Sequence, residues 1–177
     1  MNNDIIKYNI VKFVCIFFIT ILYQQMASGI QIMGIMPNLT FLIILAAAIA
    51  ENHKDLAFPC VFGIIYDHMN GNIFGVYTIL FVIISFFLSE TYHKNFENVV
   101  VVEIFFVILG CFFYSFVTAL FISLMDGGFW GLVIRIAFPE FVYNSLVGTG
   151  VFLVYKKIIT KTGGGWRRRR RRSAWRV

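Results

Sequence analysis

The sequence predicts an all-α integral membrane protein, a bundle of six spans, and three observations carry that prediction. Of its 177 residues, 59% are hydrophobic and 14% charged, against about 45–50% and about 25% in soluble domains. The apolar residues gather into six runs with short polar connections. The lysines and arginines fall in alternate connections, the pattern of cytoplasmic loops. A soluble domain of this composition would expose large apolar patches and aggregate. The same hydrophobicity, with a mean hydropathy of +0.81, excludes a disordered chain.

The first run, residues 10–28, follows Lys7 and Lys12 and is long enough to span. Its end, Met26-Ala27-Ser28-Gly29, faintly resembles a signal-peptidase site, but further spans follow and the reading is an uncleaved helix. The second run, 30–50, is interrupted by Pro37. The third, 56–69, carries Pro59 near its start and is short. About 14 residues give roughly 21 Å, against a hydrocarbon core of about 30 Å. Its outer end and the turn from Asp67 to Asn72 are therefore expected below the outer surface, shielded by protein. The fourth run is 73–89, the fifth 99–125, and the sixth 129–155 with Pro139 inside it.

With both termini in the cytoplasm, fourteen of the fifteen basic residues lie inside and the other, Arg135, lies within the membrane. A five-span chain would carry lysines outside, so six spans are preferred. The formal charge of +6 is misleading. Residues 1–162 hold eight basic residues and all nine acids, a balance of −1. Residues 163–177 hold Arg167 to Arg172 and Arg176 with no acid, a balance of +7. The body uses Lys and the tail only Arg, so the chain reads as a membrane domain, 1–162, and an Arg-rich cytoplasmic tail. Three readings fit the tail: binding to anionic lipid at roughly 1 kcal/mol per Arg, nonspecific binding to nucleic acid, and a frameshifted, read-through or otherwise non-native end. No specific nucleic-acid partner is expected.

Ionisable residues inside the apolar runs are the first functional candidates, because burying them is costly. Glu103 lies about one turn into the fifth run and is expected to snorkel. Counted from the ends of their runs, Asp67 and Arg135 come out at similar depths with opposite charge. They are expected to pair and tie the third span to the sixth. Pro139 removes a backbone donor and frees a carbonyl close to Arg135. Glu140, Tyr143 and Asn144 share a helix face by their spacing. A polar stripe of Arg135, Glu140 and Asn144 must point into the bundle or at a partner helix.

Small residues at Gly71-xxx-Gly75 and Ala46-xxx-Ala50, and Gly63 one turn before Asp67, mark close helix approaches. Asn38-Leu39-Thr40 matches a glycosylation sequon, but it opens an apolar run and is read as chance. Cys15, Cys60 and Cys111 are read as packing residues, unpaired by spacing into any metal or redox motif. His68 beside Asp67 supplies at most two ligands, which is not a metal site. No cofactor is implied, and no nucleophile–base or phosphate-cradling motif appears.

Three segments then add a resemblance. Pro37 to Ile44, Phe62-Gly63-Ile64-Ile65-Tyr66-Asp67 followed by Gly71 and Phe74-Gly75, and Arg135 to Asn144 together resemble the MreD family of rod shape-determining proteins. The resemblance covers about residues 5–161; Phe62-Gly63 stands where the family has Gly-Phe, and the tail lies outside. It implies a multi-pass protein of the bacterial inner (cytoplasmic) membrane, not an enzyme. It also implies binding to MreC and indirect links to MreB, RodA and its transpeptidase partner. The implied fold is a six-helix bundle similar to the substrate-binding subunit of energy-coupling-factor transporters. Pro37, Gly63, Asp67, Gly71, Gly75, Arg135, Pro139, Glu140, Tyr143 and Asn144 are the structural or partner-binding candidates. That transporter similarity supplies the rival reading, a vitamin-type binding subunit. Such subunits usually carry Ala-xxx-Ala on the first span, where this chain has only Ala27, so the scaffold reading is favoured.

Overall fold

A computed structural model describes residues 14–15, 17–19, 22, 36–51, 56–70, 75–96, 99–126 and 129–174, with side chains described up to Thr160. Within the first run, Val14, Cys15, Phe17, Phe18, Ile19 and Leu22 are helical. The described residues are otherwise all-helical: α1 (Leu39–Glu51), α2 (Ala57–Asn70), α3 (Val76–Asn95), α4 (Val100–Asp126), α5 (Phe129–Leu132), a π-helical turn (Val133–Ala137) and α6 (Phe138–Ala174). Val76–Asn95, Val100–Leu124 and Trp130–Thr160 are long and apolar enough to cross a membrane, and Leu39–Ala50 is a shorter apolar helix.

α1 is the axis of the bundle. It is apolar on every side, LTFLIILAAAIAE, the pattern of a helix enclosed in a core or facing lipid. Phe41, Leu42, Ile44, Leu45, Ala46 and Ile49 are all buried, against α3, α4 and α6. Two glycines let the outer helices close on it. A Cβ at Gly110 of α4 would stand 2.6 Å from Leu45 and 2.9 Å from Leu88, and one at Gly148 of α6 would stand 2.9 Å from Leu42. α2 packs chiefly on α3, touches α1 lightly, and makes no substantial contact with α6.

The runs and the helices part company at two places. The second run, 30–50, is helical from Leu39, after Pro37 and Asn38, and its residues 30–35 lie outside the described residues. The sixth run continues as helix far past residue 155, to Ala174; Lys and Arg are good helix formers. Pro139 explains the π turn. Its ring displaces the carbonyl of Arg135, one turn back, and a widened turn accommodates the misfit. The Phe138 N–H accordingly bonds the Val133 carbonyl, five residues back.

Candidate functional site

The buried polar side chains collect in two layers. The first joins α1, α4 and α6. Asn38 is the N-cap of α1, its Oδ1 accepting the Phe41 N–H at 3.0 Å. That satisfies a donor the helix leaves open. The Asn38 N–H donates to Asn144 Oδ1 at 2.9 Å, and its Nδ2 donates to the Tyr114 hydroxyl at 2.7 Å. All three residues are buried, Asn144 completely. Asn38, the first residue of the Asn-Leu-Thr match, is the hub that joins three helices. An Asn immediately before an apolar run is a capping signal, and it exposes the capping part of the role.

A second cap lies beside the first. Gly75, at φ 100°, is the N-cap of α3 and offers no side chain to its open donors. Asp67 supplies them from α2. Its Oδ1 accepts the Tyr77 N–H and its Oδ2 the Thr78 N–H, both at 3.0 Å, and the Thr78 hydroxyl also donates to Oδ2. A carboxylate at a helix N-terminus is favoured by the helix dipole as well as by the bonds. Gly63, one turn earlier, makes the approach possible: a Cβ there would lie 2.5 Å from Thr78 Cα. Rings connect the two caps, with Tyr66 on Tyr77 at 4.9 Å and Phe41 stacked on Tyr114 at 4.5 Å.

The expected Asp67–Arg135 pair is therefore not present. Asp67 is buried and already bonded, whereas Arg135 is exposed in the π turn. The depth count misled because it measured each residue from a different end. From Lys157, Arg135 is about 33 Å along its helix, but Asp67 is only about 16 Å above Leu56. The polar stripe divides accordingly: Asn144 points inward, Glu140 and Tyr143 are half-buried, and Arg135 faces out. Glu140 lies within electrostatic reach of Tyr77 and Tyr114.

The other layer lies at the Lys156 end. Glu103 does not snorkel. It is buried, paired with Lys156, and accepts the Tyr92 hydroxyl at 2.9 Å. Lys156 also lies 5.8 Å over the Phe152 ring. Ser89 donates to the Ala48 carbonyl at 2.9 Å, tying α3 to α1 at the same end. Eleven residues of α4 separate Glu103 from Tyr114, about 17 Å.

Other candidates fall outside these layers. Gly71 lies outside the described residues. Gly75 meets nothing within 4 Å of its Cβ position, so it serves the turn rather than a helix contact. Pro37 leads into the α1 cap, its carbonyl accepting the Leu39 N–H at 3.0 Å. His68 is exposed while Asp67 is buried, and among the described residues no three His, Cys, Asp or Glu side chains gather as a metal site.

These caps and glycines fall in the same three segments that carry the sequence resemblance, and residues 5–161 match the family described as rod shape-determining protein MreD. The chain belongs to the MreD family. The match covers the whole bundle and stops just short of the Gly-Arg tail. Family membership and the long apolar helices together make this a membrane protein of cell-shape determination. No curated protein and no solved structure matches the chain.

Proposed function

We propose that this MreD-family chain is a non-enzymatic scaffold of the bacterial cell-elongation machinery. It binds MreC and through it connects MreB filaments with RodA and its transpeptidase partner. The chain crosses the inner membrane six times, with both termini in the cytoplasm and the Glu103–Lys156 layer at the cytoplasmic side. The bundle is of the kind found in substrate-binding subunits of energy-coupling-factor transporters, but it serves as a platform.

The family match over residues 5–161 carries this reading. The geometry supports it. Asp67 is spent on capping α3 and Glu103 on tying α4 to α6. Carboxylates used in this way hold helices in register for a surface to be presented.

Co-purification with MreC in mild detergent tests the proposal, with a two-hybrid assay in parallel. Retention of MreC in both, together with rounded cells on depletion, is the expected result. Loss of the interaction in both would remove the scaffold reading. An auxotrophy on depletion, cured by a vitamin, would point instead to a small-molecule subunit.

A further inference from the structure

The outer faces of the bundle differ in chemistry. Between α3 and α4 runs a groove of about 640 Å³, lined by residues such as Ile79, Ile83, Phe87, Phe113 and Phe121, with Thr91 at one end. Apart from Thr91 its wall is bulky and apolar, without the glycines and alanines that let membrane helices approach closely. Acyl chains suit it.

The face of α6 is different. Val142, Leu146 and Gly150, spaced by four and so within about 80° of one another around the helix, are exposed, with Phe138 and Val154 exposed at the two edges of that face. Arg135 is exposed beside Ile134 and Phe138, with no ion-pair partner among the described residues. A Cβ added at Gly131 or Gly150 would meet nothing within 4 Å, so the backbone there is open to a neighbour. A face with bare glycines and an unpaired cation has the two features that draw a second helix in a membrane: close backbone approach and a charge needing its opposite.

We propose that this face docks one transmembrane helix of a partner, carrying a carboxylate level with Arg135 and packing into the notch at Gly150. The inference rests on the scaffold reading above and names the surface that meets MreC. Charge complementarity selects the occupant. An apolar helix would leave Arg135 unpaired, and a second copy would offer it only Glu140, which is half-buried within its own bundle.

The test uses the full chain co-expressed with MreC of the same organism. A benzoylphenylalanine photo-crosslinker is placed at Phe138, Val142 or Leu146, with Ile83 and Phe87 as controls. Crosslinks to MreC are expected from the α6 positions and not from α3. Arg135→Glu should lower the Val142 crosslink at least tenfold, while Arg135→Lys retains it. Gly150→Leu, which fills the notch, should lower it as well and carries the test if Arg135→Glu does not accumulate. The docking face is overturned if MreC co-purifies but crosslinks arise from α3 or from neither helix. It is equally overturned by crosslinks to lipid alone or to a second copy, or if Arg135→Glu and Gly150→Leu leave the yield unchanged. Loss of MreC from the unsubstituted chain would remove the scaffold reading and this face together.

Discussion

Asp67 shows how one side chain can decide a helix contact. Three donors converge on its carboxylate: two backbone N–H groups and the Thr78 hydroxyl. Removing it leaves all three without that partner in a half-buried hairpin, and each unsatisfied buried group costs about 1–3 kcal/mol. Asp67→Ala should therefore lower the thermal midpoint in detergent sharply, by about 3 kcal/mol or more of stability. Asp67→Asn keeps one accepting oxygen but turns its NH₂ toward a donor, so its midpoint should fall between the two. Gly63→Ala tests the same contact from the backbone side. The obstacle is Thr78 Cα, not a flexible side-chain tip, so α2 must move off α3. Its midpoint should fall by a similar amount although no hydrogen-bonding group is altered. A midpoint unchanged in both Asp67→Ala and Gly63→Ala would show that the hairpin is not held here.

Helix pairing shows a different asymmetry. Glu103 is almost wholly buried, whereas the Lys156 side chain keeps 24% of its surface exposed. Removing the lysine leaves a buried carboxylate with only the Tyr92 hydroxyl. Removing the acid leaves a lysine whose long stem can carry its charge outward. Lys156→Met should cost about 3 kcal/mol, Glu103→Gln clearly less, and the double variant should recover most of the loss. A double-mutant cycle on unfolding in detergent reads this coupling, and additive effects would contradict it. The same pair shows what a sequence can disclose. Hydropathy located the stretches that become α2 to α4, because run length and charge are properties of one segment. Partners depend on which segments become neighbours and at what height, and that is not written locally. Hence Glu103 looked free to snorkel, and Arg135 looked matched to Asp67. Asn38 carried a local capping signal, but its bonds to Tyr114 and Asn144 arise only once α1, α4 and α6 converge.

Across the whole molecule, the two polar layers clamp the bundle about 17 Å apart, with α1 enclosed between them. The Asn38–Tyr114–Asn144 layer fixes where α1 begins, and the Glu103–Lys156 layer fixes α4 against α6 at the other end. Each described tie between helices, and the family match itself, ends at or before residue 161. The Arg-rich segment adds +7 of charge, and its side chains lie outside the described residues. Attraction between a basic segment of this kind and an anionic leaflet is screened by salt. A chain ending at Thr162 should therefore unfold at the same midpoint as the full chain and restore rod shape equally well to depleted cells. It should differ in one respect, losing any salt-sensitive excess binding to vesicles rich in anionic lipid. A fall in the midpoint on truncation would mean that the tail packs on the bundle. A loss of shape rescue with the midpoint unchanged would place a partner contact in the tail.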